Sequence, residues 1–212
     1  MCGISAYIGS KKISNFKIKK TLRILNHRGP DSNGFYRGGL NNLNITLIHN
    51  RLKIIDLNKR ADQPFKYLDS NLIFNGEIYN YIELKKLLKT KELISNTDTE
   101  VLLYGLIEHG KKILNKLEGM FSFIFVDLKT NNIIFSRDRL GIKPLYFIKN
   151  NKSFIFSSEI KPLIPFCKNL SINHNAFLSF FFKSSMDFDR NTFFKDIHSV
   201  DAGHYGEIIN DN

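Results

Sequence analysis

Tryptophan is absent from this chain of 212 residues, and the chain holds two cysteines and five prolines. Cys2 and Cys167 are too few for the disulfide framework of a small secreted domain, and they lack the spacing of a zinc site. No apolar run reaches the roughly 20 residues of a membrane-spanning helix, and the N-terminus lacks the pattern of a secretory signal. These absences predict a cytoplasmic protein that has no metal site and no membrane partner.

Acidic residues are outnumbered, because 20 Asp and Glu face 31 Lys and Arg, for a formal net charge of +11. An excess of this size raises nucleic-acid binding as a function. The lysines, however, are spread along the chain and form only short clusters, such as the one at residues 17–20. A nucleic-acid-binding arm is typically a dense block of basic residues. No glycine pattern matches a phosphate-binding loop. We therefore expect no nucleic acid, ATP or dinucleotide on this chain, and keep a basic nucleic-acid binder as the disfavoured alternative.

Short apolar runs typical of strands recur along the chain, and apolar residues make up 42% of it. Four runs between residues 120 and 156 are joined by links too short for crossover helices, which predicts an antiparallel meander. Apolar residues at helical spacing follow the sequence Thr97-Asp98-Thr99-Glu100, which has the form of a capping box. The pattern predicts a helix that begins there. No linker or repeat divides the chain, so we predict one α+β domain over residues 1–212, with sheets covered by helices.

Cys2 directly follows the initiator methionine. Met1 is expected to be removed before so small a residue, which leaves Cys2 with both a thiol and a free α-amine. Reference pKa values of about 7.7–8.0 for the amine and about 8.5 for the thiol let the amine accept the thiol proton near neutral pH. The first residue of a chain can then act as a nucleophile. A small second residue can equally be accidental, so position alone leaves both interpretations open.

Asn75-Gly76 follows an apolar strand and offers a side-chain amide beside an unshielded glycine N–H. A thiol nucleophile needs hydrogen-bond donors of this kind for the oxyanion of its tetrahedral intermediate. The same dipeptide is strongly favoured in hairpin turns. The residues that follow, Glu77-Ile78-Tyr79, lead to a predicted helix rather than to a return strand, and the motif alone does not decide between turn and oxyanion site.

Charged residues at element ends could hold an amino acid. Arg51 and Arg28 are candidates for a carboxylate, because the planar fork of arginine pairs with both carboxylate oxygens. Asp98, at a helix start, is a candidate for an ammonium group. Each also has an ordinary interpretation: a lone arginine is often solvated, and a first-turn aspartate stabilises a helix. Glu100 is assigned to the helix cap, and Cys167 to packing.

Five segments occur in the order found in class II glutamine amidotransferase domains, and the chain most resembles the N-terminal glutaminase half of glutamine-hydrolysing asparagine synthetases. The segments begin at Cys2, His27, Arg51, Asn75 and Thr97 and read CGI, HRGPDS, RLKIID, NGEIYN and TDTE. Further support comes from residues 136–146, SRDRLGIKPLY, and from residues 157–161, SSEIK. The resemblance covers nearly the whole chain, from residue 2 to about residue 205.

This resemblance implies an N-terminal nucleophile hydrolase fold, with two stacked antiparallel sheets between helical layers. It implies that Cys2 attacks L-glutamine, forming a thioester and releasing ammonia and then glutamate, with its own amine as the base. The catalytic residues would be Cys2, Asn75 and Gly76, the last two forming the oxyanion hole. The substrate-binding residues would be Arg51 for the α-carboxylate, Asp98 for the α-ammonium, and Leu52, Lys53, Ile54, Ile55, Asn75, Gly76 and Glu77 around the pocket.

The chain departs from the family pattern in two places. Ala202 replaces a proline that usually precedes Gly-His, which we expect to be harmless. The chain also stops at Asn212, whereas a synthetase domain with an ATP-binding loop follows in asparagine synthetases. We therefore expect ATP and magnesium to bind in a synthetase domain, in cis or in trans, and not here. A homodimer stays open, as does a catalytically silent regulatory or assembly domain of the same fold.

Overall fold

The computed structural model describes residues 1–90, 92–167, 169–183 and 190–209. The strands are β1 (Gly3–Gly9), β2 (Ser32–Leu40), β3 (Leu43–Arg51), β4 (Phe65–Tyr67), β5 (Ser70–Ile78), β6 (Gly119–Asp127), β7 (Asn132–Arg137), β8 (Tyr146–Asn150), β9 (Ser153–Ser157), β10 (His198–Ser199) and β11 (Tyr205–Ile209). The α-helices are α1 (Asn15–Leu25), α2 (Tyr81–Leu87), α3 (Asp98–His109) and α4 (His174–Lys183). Short 3₁₀ segments cover Asn26–Arg28, Lys59–Ala61, Gly110–Lys116 and Ile164–Phe166.

The strands form two antiparallel sheets. The larger has the order β10-β8-β9-β1-β3-β2, and the smaller has the order β11-β7-β6-β5-β4. Side chains alternate between the two faces of each strand. Ile4 and Phe156 from the larger sheet therefore meet Ile73 and Ile124 from the smaller one in a shared apolar layer. This layer joins the sheets face to face.

Helices cover the outer faces of the stacked sheets. Ile18 of α1 packs on the outer face of the larger sheet, in a cluster with Tyr7 and Ile48. Leu102 of α3 packs on the outer face of the smaller sheet, in a cluster with Phe74. The predicted α+β architecture, two antiparallel sheets between helical layers, is confirmed. None of the helices within the described ranges has the length and apolar character needed to span a membrane.

The meander predicted over residues 120–156 is wrong, because its strands belong to different sheets. The β6–β7 hairpin lies in the smaller sheet and the β8–β9 hairpin in the larger one. Asp138 holds the crossing between them: its carboxylate accepts hydrogen bonds from four backbone N–H groups, at 2.9 to 3.2 Å. Those donors are Phe121, Leu140, Ile142 and Lys143. A short link can therefore cross between stacked sheets as readily as it closes a hairpin.

The predicted capping box at the start of α3 is half formed. The Thr97 hydroxyl accepts a hydrogen bond from the backbone N–H of Glu100 at 3.3 Å, as expected for the N-cap residue. The Glu100 carboxylate does not return to Thr97 and instead accepts from the backbone N–H groups of Ile94 at 2.9 Å and Ser95 at 2.6 Å. Glu100 thus secures the loop before the helix rather than the cap.

Candidate active site

Cys2 lies directly before β1, which is an interior strand of the larger sheet. Its half-buried thiol contacts the next strand's end, where the backbone N–H of Leu52 donates a hydrogen bond to Sγ at 3.4 Å. Burial raises the pKa of the Cys2 thiol, and the Leu52 N–H opposes that rise. The sulfur is therefore placed by the fold, but burial alone disfavours its reactive thiolate form.

The backbone around Cys2 is held by residues that are distant in sequence. The Nε of Arg28 donates to the carbonyl oxygen of Cys2 at 3.1 Å, and Arg28 Nη1 donates to Glu159 at 3.1 Å. Ile4, two residues after Cys2, is held in the same way. Its N–H donates to the Ser158 hydroxyl at 3.0 Å, and its carbonyl oxygen accepts from the Ser158 N–H at 2.9 Å. These bonds limit fraying at a chain end that carries the candidate nucleophile.

Asn75 and Gly76 lie inside β5, which excludes the hairpin turn that the sequence left open. They pair across the ladder with Ser122 and Phe121 of β6. The Asn75 side chain is 1% exposed, and neither its amide nitrogen nor its amide oxygen is hydrogen-bonded to any part of the chain that the structure describes. Buried amides normally have partners. This amide is accordingly available to a ligand.

Gly76 is required by close packing rather than by a turn. A Cβ atom at this position would lie 2.3 Å from the carbonyl oxygen of Met120 on β6. A distance this short cannot be relieved by a side-chain rotation, because the neighbour is backbone. A glycine therefore brings β5 close to β6 next to the Asn75 amide.

Arg51, at the end of β3, is almost fully buried, and its guanidinium is heavily engaged within the chain. Nη1 donates to Asp62 at 2.7 Å and to the Asn58 carbonyl at 3.1 Å. Nη2 donates to the carbonyl oxygens of Ile55 at 3.1 Å and Asp56 at 2.5 Å. All four terminal N–H groups thus organise the loop after β3. A substrate carboxylate would have to use the Nε–H, replace one of these acceptors or be attracted by charge alone.

Asp98 begins α3 and is 4% exposed. Its carboxylate accepts from the Ile78 N–H at 2.9 Å and from the Thr99 N–H at 2.8 Å. Burial raises the pKa of Asp98 to about 6, and these two hydrogen bonds oppose the rise. The carboxylate is therefore mostly ionised at neutral pH, and its pKa leaves it sensitive to a nearby positive charge.

A single pocket brings most of the predicted site residues together. Its lining includes nine of them: Cys2, Arg51, Leu52, Ile54, Ile55, Asn75, Gly76, Glu77 and Asp98. Lys53 is not among the lining residues, and its N–H instead donates to the Asp31 carboxylate at 2.8 Å. The resemblance grouped Lys53 with its neighbours, but the hydrogen bond to Asp31 holds the backbone of Lys53 outside the pocket lining.

A family model described as a glutamine amidotransferase domain matches residues 1–212. The chain belongs to this glutamine amidotransferase family. Asparagine synthetase (glutamine-hydrolyzing) of Brassica oleracea is 37% identical to it over 175 residues, which is 80% of this chain and 29% of that protein. Asparagine synthetase 1 (glutamine-hydrolyzing) of Bacillus subtilis is 38% identical over 163 residues, covering 75% of this chain and 25% of that protein. The amidotransferase domain therefore spans less than a third of the length of these relatives.

Solved structures place the domain in the N-terminal nucleophile hydrolase fold, as the resemblance implied. Glutamine phosphoribosylpyrophosphate amidotransferase from B. subtilis, solved with ADP and GMP, superposes with a TM-score of 0.60 at 19% identity. The match covers 77% of this chain and 43% of that one. At this identity the likeness concerns the fold.

Several residues of the amidotransferase pocket were missed by the sequence analysis. Prominent among them are Gln63, Thr99, Met120 and Lys143. Gln63 accepts from the Phe74 N–H at 2.7 Å and donates to the Thr99 hydroxyl at 3.4 Å, so it joins β5 to α3 behind Asn75. Lys143 did lie in the segment GIKP, which supported the resemblance, but that segment carries no local signal that the lysine lines the same pocket as Cys2.

Metal-ligating side chains do not cluster in the part of the amidotransferase domain that the structure describes. There, no three residues of the His, Cys, Asp and Glu types approach one another closely enough to hold an ion.

Proposed function

We propose that this domain hydrolyses L-glutamine to glutamate and ammonia through a γ-glutamyl thioester on Cys2. The observation that carries the proposal is the unpartnered, buried amide of Asn75, which lines the same pocket as the Cys2 thiol. A buried polar group without a partner costs about 1–3 kcal/mol. An oxyanion formed beside Cys2 would supply the acceptor that the Asn75 amide nitrogen lacks. The pocket would therefore stabilise the reaction intermediate more than its own unliganded state.

In the first half of the reaction, Sγ of Cys2 bonds to the side-chain carbonyl carbon of glutamine and the thiol proton passes to the α-amine. The oxyanion accepts hydrogen bonds from Asn75 Nδ2 and the Gly76 N–H. Collapse of this intermediate breaks the C–N bond, and the amine returns the proton to the departing ammonia. The amine can do this only after Met1 is removed, since an amide nitrogen is not basic.

In the second half, water attacks the thioester carbonyl, and the α-amine takes a proton from that water. The new C–O bond replaces the C–S bond, the thiol is restored, and glutamate leaves. The α-amine thus acts first as a base and then as an acid. A group whose pKa lies near the working pH is suited to both roles.

Charges at the two sides of the pocket support recognition of the amino-acid end of glutamine. The Asp98 carboxylate suits the α-ammonium. Arg51 suits the α-carboxylate through its positive charge, with one of its loop carbonyl acceptors exchanged for the ligand. Leu52, Ile54, Ile55 and Glu77 enclose the rest of the substrate.

We infer further that the ammonia is used to make asparagine from aspartate in an ATP-dependent synthetase domain, in cis or in trans. The support is the name of the relatives, glutamine-hydrolyzing asparagine synthetases, and the fraction of their length, 29% and 25%, that this chain spans. ATP and magnesium belong to that domain. A catalytically silent domain of the same fold is the alternative, and activity decides between them.

The test is glutamate release from L-glutamine by the full chain, after mass spectrometry confirms that Cys2 is the first residue. Cys2→Ala should lose nearly all of the rate, by at least about 10³-fold. Cys167→Ala, which removes the other thiol, should retain it. Equal rates in the wild type and Cys2→Ala would exclude the thioester mechanism, and a processed wild type without activity would favour the silent domain.

A further inference from the structure

Lys143 is a buried cation that the proposed reaction does not yet use. It ends the turn organised by Asp138, where the chain crosses from one sheet to the other, and its backbone N–H is bonded to that carboxylate at 2.9 Å. Its side chain lines the same pocket as Cys2 and Glu77, and the residue is 5% exposed. The sheet crossing thus places a lysine in the pocket that Cys2 also lines.

The ammonium of Lys143 has no fixed partner. Within the described ranges it takes part in none of the ion pairs, and its side chain donates no hydrogen bond. The nearby Asp138 carboxylate is already occupied by four backbone N–H groups. The residue is buried as a whole, but its Nζ is not among the fully buried side-chain atoms that lack a partner, so the ammonium is accessible from the pocket. Its charge is therefore free to act on other groups of the pocket.

The charges that face Lys143 come from several elements. Burial lowers the pKa of Lys143 and Arg28 lowers it further, whereas Asp138, Glu77 and Cys2 raise it. Such an interaction is reciprocal: if the Cys2 thiolate favours the charged lysine, the charged lysine favours the thiolate. The group stabilised in this way is the thiolate of Cys2, whose formation burial in the pocket otherwise opposes.

Cys2 has its own set of neighbours. Burial raises the pKa of Cys2; the Leu52 N–H, the chain's amino group and Arg51 lower it, and Asp98 raises it. Arg51 is tied by its four hydrogen bonds to the loop after β3, so it cannot turn its N–H groups towards the sulfur without losing them. Lys143 has no such ties.

We propose that the ammonium of Lys143 stabilises the thiolate of Cys2 and so raises the fraction of reactive thiolate at neutral pH. This inference rests on the proposed function, in which Cys2 is the nucleophile, and adds an electrostatic residue to it. Proton transfer to the α-amine is unchanged; the lysine lowers the free energy of the anion that remains on sulfur.

The test is the pH dependence of Cys2 alkylation by iodoacetamide in the full, Met1-processed chain, with the Cys2 peptide resolved from the Cys167 peptide by mass spectrometry. Lys143→Met should raise the midpoint by about one pH unit, the lower part of the range for loss of a neighbouring opposite charge. The alkylation rate at pH 7 should then fall only about threefold, because the roughly tenfold smaller thiolate fraction is partly offset by the greater nucleophilicity of the more basic thiolate. Lys143→Arg, which keeps the charge, should stay near the wild-type midpoint.

The matched control is Lys19→Met, which removes one positive charge from the exposed face of α1 and should leave the midpoint unchanged. Thermal unfolding checks each variant, and Lys143→Gln provides a second neutral side chain if the methionine variant does not fold. A wild-type midpoint in a folded neutral variant would overturn the proposal. Because no glutamine is present, this result is independent of whether the wild type hydrolyses glutamine.

Discussion

The Nε of Arg28 donates a hydrogen bond of 3.1 Å to the carbonyl oxygen of Cys2, and Glu159 holds the same arginine at 3.1 Å. A residue at a chain end would otherwise be among the most mobile in the protein. In the proposed mechanism, this relationship would hold the nucleophile at the first position of the processed chain against the oxyanion site formed by Asn75 and Gly76.

Removal of the Arg28 anchor should lower kcat for glutamine hydrolysis. Arg28→Ala is expected to cost tenfold to about 10²-fold, the scale for misplacing a reacting group by about 1 Å. The KM should change less, because Arg28 is not among the residues that line the pocket. Steady-state kinetics measure both, and Arg23→Ala on the exposed face of α1 is the control. A wild-type kcat in Arg28→Ala would show that the anchor does not position Cys2.

Asn75→Ala should separate catalysis from stability. The amide has no hydrogen-bond partner among the described residues, so its loss should leave the melting temperature within a few degrees of wild type. The kcat should nevertheless fall about 10²–10³-fold, as for removal of one oxyanion donor. Asn71→Ala is the matched control, because Asn71 is equally buried and unpartnered on β5 but does not line the pocket. Similar losses of kcat in both variants would argue against an oxyanion role.

Substrate binding should weaken in acid because of Asp98. Its pKa is raised to about 6, so protonation through this range removes the anion expected to hold the α-ammonium. The KM for glutamine should therefore rise about tenfold for each unit below pH 6. Asp98→Asn should show a high KM with no such dependence. A KM that stays flat from pH 7 to pH 5 in the wild type would contradict this role.

The raised pKa of Asp98 affects the stability of the fold in the opposite direction, since protonation of this group favours the folded state. The folded-state pKa of Asp98 lies above the unfolded value of about 3.9, so the folded state binds the proton more tightly. The contribution of this group to the free energy of unfolding is therefore fully present below about pH 4 and is lost as pH rises through 6. Denaturant unfolding at several pH values should show a smaller change over this window in Asp98→Asn than in the wild type. An identical pH profile in the two proteins would contradict it.

Gly76→Ala should destabilise the domain by about 1–3 kcal/mol, the usual cost of overpacking. The added Cβ would lie 2.3 Å from the Met120 carbonyl oxygen, so β5 and β6 must move apart next to Asn75. Gly39→Ala is the control, since its Cβ would meet nothing closer than 3.7 Å. Equal unfolding free energies for the two variants would contradict the close approach. Glutaminase activity should fall in Gly76→Ala even at temperatures where it remains folded.

Features that depend on neighbouring residues were predictable. The Thr97 N-cap was confirmed, because it depends on hydrogen bonds and backbone angles within a few residues. The short apolar runs between residues 120 and 156 also predicted strands, and each of them is one. The pairing of β7 and β8 with different sheets was not predictable, since a link of a given length fits a hairpin or a crossing.

The candidate site shows most clearly what the local sequence determines and what the tertiary structure determines. Residue types are a local property, so the chain's own letters single out Cys2, Asn75 and Asp98 and, through their order, the amidotransferase family. Packing across the sheets decided the rest: that Asn75-Gly76 is strand and not turn, that Arg51 is committed to its loop, and that Lys143 joins the pocket. Each of these depends on contacts between segments far apart in the sequence, whose partners no local pattern encodes.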